Sequence, residues 1–157
     1  MPVAKQPKKA PRKKAVRKVV VETLAYGASA GLDFKSTKQL ITKLKQGFPV
    51  DSFETLRSQM QLSASVLASV TNIAQRTLTR RKKSGRLNTD ESERLFRIAA
   101  LFDRGVEVLG DRETAQSWFK GPKKALGGQT PLEFADTEPG AREVEALLGR
   151  LEHGVYS

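Results

Sequence analysis

The sequence predicts an all-α fold, on three observations. Between residues 36 and 151 apolar side chains recur at helical spacing. A capping residue stands ahead of most of these runs, at Ser36, Ser63, Asn88, Asp111, Thr130 and Thr137. Glycine or proline closes several of them, as at Gly47, Pro49, Gly110 and Gly121-Pro122. The pattern divides the chain into an arm and irregular segment over residues 1–35, a first helical unit over 36–87 and a second over 88–157.

The first eighteen residues, MPVAKQPKKAPRKKAVRK, hold eight basic side chains, three prolines and no acid. Such a segment cannot bury enough apolar surface to offset its chain entropy, so a disordered basic arm is expected. It reads either as an electrostatic tether to DNA or as a solvated tail. Val16 to Tyr26 is apolar enough for a short strand or docking segment, and Gly27-Ala28-Ser29-Ala30-Gly31 breaks it, so this region is read as irregular.

Ser36 caps the first helix, with Leu40, Ile41, Leu44 and Phe48 at helical spacing. A second begins at Asp51 or Ser52 and carries Phe53, Leu56 and Met60 on one face. Ser63 caps a short third helix bearing Val66, Leu67 and Val70, Thr71-Asn72 interrupts, and a basic helix runs from about Ala74 to Lys83. Short helix, tight turn and basic helix is the order of a helix-turn-helix. Asn72 suits the turn because it tolerates positive φ, and Ile73 would anchor the turn in the core. With Leu78 pointing inward, Arg76, Arg80 and Lys83 fall on the opposite side of the basic helix and Thr79 lies beside them. Gln75, Arg76, Thr79 and Arg80 are therefore the candidates for base edges or phosphates, and Arg81, Lys82 and Lys83 for the DNA backbone.

After Gly85-Arg86-Leu87, Asn88 and Glu91 stand at capping-box spacing. Leu95, Ile98, Ala99, Phe102, Val106 and Leu109 then form a long stripe, which Phe96, Leu101 and Val108 widen. A stripe this broad packs on two sides, either inside the fold or in a dimer. Asp111 caps the next helix, with Ala115, Trp118 and Phe119 as core candidates. Gly127-Gly128 lacks the spacing and the Lys-Ser/Thr of a phosphate loop and reads as a simple loop. Thr130-Pro131 opens a short helix, and Thr137 caps the last one, where Val144, Leu147, Leu148 and Leu151 repeat at helical spacing.

Composition narrows the function. The 157 residues include 28 Lys+Arg and 17 Asp+Glu, a net charge of +11. Residues 1–35 and 36–85 each hold 9 basic and 2 acidic side chains, whereas residues 86–157 hold 10 and 13, so a polyanion at one end and a different partner at the other are implied. With no Cys and a single His, His153, a thiolate or multi-histidine metal site, a cysteine nucleophile and a conventional Ser-His-Asp arrangement in mid-chain are excluded, and no metal or cofactor is expected. Asp103 and Glu107 are carboxylates four residues apart, which read as a solvated helix face rather than a catalytic pair. The longest apolar runs, Val19-Val20-Val21 and Ile98-Ala99-Ala100-Leu101-Phe102, are too short to span a bilayer, and no signal-peptide pattern follows the basic N-terminus, so a cytoplasmic location is expected.

Two stretches carry a family resemblance: NIAQRTLTRRKKSGRLNTDESERLFRIAALFDRGVEVLGD and AQSWFKGPKKALGGQTPLEFADTEPGAREVEALLGRLEHGVYS. Over most of residues 60–157 the chain resembles the bacterial Xre/MbcA/ParS antitoxins, which neutralise RES-domain toxins encoded beside them. It departs from their pattern at Asn72, where Gly is common, and at Ala74, where Ser often starts the recognition helix. The resemblance implies an Xre-like helix-turn-helix DNA-binding domain (36–87) and a toxin-binding domain (88–157) in a protein that is dimeric, binds its own promoter and is not an enzyme. It further implies a RES-type toxin with an ADP-ribosyltransferase-like fold, which consumes NAD or transfers ADP-ribose and is inhibited by occlusion of its NAD site. The side chains free to reach such a toxin are Arg150, one residue from the last buried stripe, and His153, Val155, Tyr156 and Ser157 in the tail beyond it. The competing reading is a stand-alone helix-turn-helix regulator sensing a small molecule, for which only Trp118, Phe119 and Phe134 offer aromatic lining.

Overall fold

Helices begin where the sequence sets a short polar side chain ahead of an apolar run, because that side chain accepts an otherwise orphaned backbone N–H. In the computed structural model, which describes residues 26–154, Ser36 caps α1 (Thr37–Gln46) by accepting from Gln39 N at 3.1 Å. Ser63 caps α3 (Ala64–Val70), and Asn88 caps α5 (Thr89–Leu109) through a full capping box with Glu91. Asp111 caps α6 (Arg112–Lys120), Thr130 caps α7 (Pro131–Phe134) and Thr137 caps α8 (Glu138–Glu152). The two helices without a side-chain cap are α2 (Asp51–Met60) and α4 (Gln75–Ser84). At α2 the backbone compensates, since Ser52 N donates to Pro49 O (3.0 Å) and Phe53 N to Val50 O (3.0 Å); just ahead of it Val50 N donates to Gly85 O (3.0 Å) and Leu87 N to Phe48 O (2.9 Å) around an isolated Pro49–Arg86 bridge. Gly47 makes this approach possible: its φ is +85°, and a Cβ there would lie 1.9 Å from Leu87 O.

The chain is all-helical among the described residues, and α5 is its axis. Its apolar stripe packs against α8, α6, α1, α2 and a short 3-10 turn at Ala28–Ala30. Much of the broad stripe therefore finds its partners within the chain, while Phe96, Val106, Val108 and Leu109 stay half-buried. Phe34, Phe48 and Phe96 form a three-ring cluster with centroids 5.9–6.4 Å apart. Phe102 meets Phe119 at 5.9 Å beneath α6. One continuous buried cluster runs from Ala30 to Leu148. Two apolar residues in the sequence-read stripes stay outside it, Ile41 at 46% and Val66 at 41% exposure, because α1 and α3 are each covered on one side only.

The stretch read as irregular has a definite place. Ala30 and Phe34 are buried, and the turn at Ala28–Ala30 is held on α5 by Asp103, whose Oδ2 accepts from Gly27 N (2.6 Å) and Ser29 N (3.4 Å). Asp103 is thus half-buried rather than on a solvated helix face, while Glu107 stays exposed and accepts from the Tyr26 hydroxyl at 2.7 Å. The correction has a plain cause: the groups that claim both carboxylates lie more than 70 residues away in sequence. The basic arm of residues 1–18, the apolar stretch that follows it to residue 25, and Val155, Tyr156 and Ser157 lie outside the described residues. No helix among the described residues is long and apolar enough to cross a membrane.

Candidate functional site

The turn between α3 and α4 is built in layers. Thr71 ends α3 with its backbone N–H on Leu67 O, and its buried hydroxyl donates to the same carbonyl at 2.6 Å. Asn72 takes φ +52°, as the turn requires, and Ile73 N donates to Ala68 O (2.9 Å) as its side chain enters the core. A residue that sequence reasoning missed then clamps the turn from outside: Arg94 on α5 donates from Nε to Thr71 O at 2.6 Å. Only the folded register of α5 reveals this hydrogen bond, because an arginine on a helix carries no local mark of its partner.

From this turn α4 projects with Leu78 fully buried and the opposite side in solvent. Gln75, Arg76, Thr79, Arg80 and Lys83 line one shallow exposed concavity together. The remaining candidates separate from this face. Arg81 turns inward and donates from Nε to Glu91 at 2.7 Å, so its guanidinium joins α4 to the start of α5. Burial alone would raise the Glu91 carboxyl, but the Arg81 hydrogen bond and the Asn88 N–H outweigh it and hold the group below its ordinary value. Lys82 leans toward α2, with Nζ 3.9 Å from Glu54. The exposed face therefore offers three cations and two neutral polar side chains, a set suited to phosphates and base edges.

A second constellation lies at the far end of α5. Glu107 is sixteen residues beyond Glu91, about 24 Å along the helix axis. There Arg104 donates to Glu107 (3.4 Å) and to Glu152, the last residue of α8. The Glu152 bond is the largest influence raising the guanidinium's pKa, and Glu152 is in turn held below the ordinary carboxylate value. Burial and the bond to Glu107 push the Tyr26 hydroxyl up. Among the sequence candidates here, Arg150 is half-buried, and its Nε meets no acceptor among the described residues. His153 is exposed and forms the C-cap of α8. Trp118, Phe119 and Phe134 do not build a common ligand wall: Phe119 is buried, and Trp118 stands edge-on to it at 5.0 Å with Lys123 Nζ over its ring.

These features define a class: a helix-turn-helix protein whose exposed basic helix lies at one end of a long helix, with Tyr26 and Glu152 at the other. Residues 39–100 match the family model of the antitoxin Xre-like helix-turn-helix domain, and residues 104–154 that of the antitoxin Xre/MbcA/ParS C-terminal toxin-binding domain. The chain is 36% identical to "Antitoxin Xre" of Yersinia enterocolitica, over 87% of this chain and 93% of that protein. It is 32% identical to "Antitoxin Xre" of Photorhabdus laumondii, over 82% and 88%. A Sphingobium protein named "Prs ADP-ribosylating antitoxin" is 24% identical, over 73% of this chain and 78% of that one. The chain belongs to the Xre antitoxin family. It is an antitoxin of a toxin-antitoxin system, with a helix-turn-helix for DNA and a helical domain for a toxin partner.

Proposed function

We propose that this antitoxin neutralises a RES-domain toxin that consumes NAD or transfers ADP-ribose, and that it represses its own promoter in the bacterial cytoplasm. The observation that carries the reading is the separation of the two constellations along α5, which lets DNA and toxin be held by one molecule without competing for surface. The Sphingobium relative, whose name couples ADP-ribosylation with an antitoxin, supports the chemistry assigned to the partner. On the DNA side, Gln75, Arg76, Thr79 and Arg80 read base edges or phosphates and Lys83 joins them on the phosphate backbone. Lys82 can reach a phosphate by leaving Glu54, whereas Arg81 acts by holding the helix in place. A homodimer presents two such helices to paired half-sites. On the toxin side, Arg150, His153, Val155, Tyr156 and Ser157 close the mouth of the NAD site, with Tyr156 as an aromatic anchor. Acidic groups of the C-terminal third occupy the positive subsite that an NAD pyrophosphate requires.

Replacing Arg76 and Arg80 by Ala is expected to weaken operator binding by about 1–3 kcal/mol for each base pair no longer read and to leave toxin neutralisation intact. Co-expression with the RES-domain toxin of the same operon tests the other half, with growth and cellular NAD as readouts. Because Glu152 is tied to Arg104, the clean truncation removes residues 155–157 alone. Loss of protection with operator binding retained is the expected result; full protection rules out the tail as the blocking element.

A further inference from the structure

The joint between α1 and α2 holds a polar cavity of about 250 Å³, separate from the exposed concavity of α4. Lys43, Gln46, Ser52, Arg86 and Asp33 line it, with Phe48 among its apolar walls. Pockets that take whole small molecules run to roughly 300–1,000 Å³, so this space suits a single charged group. Its cations are held in place. Arg86 Nη1 donates to Gly47 O at 2.9 Å, which leaves the other guanidinium N–H groups without an acceptor among the described residues. Lys43 Nζ donates to Asp33 O at 3.2 Å and stands 5.3 Å from the centre of the Phe34 ring. Asp33 is the single carboxylate in the lining, so Lys43 and Arg86 leave the cavity net positive.

Ser52 sets this cavity apart. It is 5% exposed, and among the described residues its hydroxyl has no hydrogen-bond partner. The other buried polar side chains, on Ser29, Thr71, Glu91, Ser92 and Gln116, each make at least one such bond. Buried hydroxyls are paired as a rule, so an unpaired one in the wall of a cationic cavity calls for an acceptor. Hydroxyl, ammonium and guanidinium are all donors here, and a ligand that accepts from all three is an oxyanion. The place in the chain narrows the choice. Arg86 follows the end of α4 by two residues, Val50 N donates to Gly85 O between them, and Lys83 of the DNA-facing concavity is three residues before it. We propose that the cavity is a phosphate site, in which Ser52 Oγ, Arg86 and Lys43 donate to the oxygens of one phosphoryl group, supplied by the DNA backbone or by free inorganic phosphate. The DNA source rests on the reading of α4 as the DNA-facing helix.

Titrating the full-length chain with inorganic phosphate at constant ionic strength, with chloride as the control anion, tests the chemistry. Backbone amide resonances of residues 43–53 and of Arg86 should shift saturably with phosphate and not with chloride. Ser52→Ala should weaken this binding about tenfold, the worth of a hydrogen bond to a charged group, and Arg86→Gln should abolish it. Because Arg86→Gln also frees Gly47 O, Ser52→Ala reports even if that variant folds poorly. Operator binding as a function of salt tests the source. If the DNA backbone supplies the phosphate, Arg86→Gln lowers the salt slope by about 0.9, and Ser52→Ala weakens operator and unrelated duplexes equally, since a backbone contact reads no sequence. Saturable phosphate shifts with DNA binding unaltered assign the site to the free anion instead. The proposal is overturned if phosphate gives no saturable shift and DNA binding is also unaltered, or if Ser52→Ala changes neither. Arg76→Ala in parallel separates the failures: if it weakens operator binding and Ser52→Ala changes nothing, only the cavity falls, and if Arg76→Ala leaves operator binding intact, the reading of α4 falls.

Discussion

Asp103 shows how far a single side chain can depart from its local sequence. Its carboxylate receives the N–H groups of Gly27 and Ser29, yet burial is the larger influence and raises its pKa. An unfolded aspartate titrates near ~3.9. A carboxyl raised above that value holds its proton more tightly in the fold, so its contribution to stability is full below the unfolded value and is lost as pH rises through the folded one. Glu91 has the opposite sign: its lowered pKa gives stability that is present above about 4.3 and lost as pH falls through the folded value. Asp103→Asn, which mimics the protonated acid, should therefore gain melting temperature relative to the parent as pH is raised from about 3 to 7. A difference that stays flat with pH would contradict the assignment. Asp103→Ala leaves the Gly27 N–H without its acceptor and should cost about 1–3 kcal/mol at low pH, a cost that shrinks as pH rises and the parent loses its own contribution.

At the scale of elements, the reading helix depends on a residue that has no place on its exposed face. Arg94 holds Thr71 O in the turn, and its Nη2 lies 3.4 Å from Asn72 O. Thr71 is fully buried, so Arg94→Ala should lower stability by about 1–3 kcal/mol through the orphaned carbonyl. Operator affinity should fall with it while toxin neutralisation persists, as gel-shift and co-expression measurements would show; unchanged operator binding would mean that the turn holds itself. The Arg94 clamp also marks what the sequence reveals and what it hides. Ser36, Ser63, Asn88, Asp111, Thr130 and Thr137 announce their helices because each accepts an N–H three residues ahead, and the positive φ of Asn72 is equally local. Arg81 on Glu91, Arg94 on Thr71 and Asp103 on Gly27 bridge separations of 10, 23 and 76 residues, which no local rule encodes. The basic run Arg80–Lys83 makes Arg81 a candidate for the DNA backbone, although the fold uses it as a brace.

Across the whole molecule, the two family models meet inside α5, between residues 100 and 104, where there is no linker. The buried cluster continues through this joint by way of Ala99, Leu101 and Phe102. The described part of the chain should therefore unfold in one step, with helical circular dichroism and the fluorescence of Trp118 changing together on heating. A fluorescence transition that precedes the loss of helix would mean that the C-terminal half melts by itself. An uninterrupted helix also fixes an angle. Each residue inserted into α5 would advance the toxin end by about 1.5 Å and rotate it by about 100° about the axis, and only after about seven residues would the original azimuth return to within roughly 20°. Insertions that leave both activities intact thus belong in places such as the loop from Gly121 to Gln129, while α5 keeps the two binding ends in rotational phase.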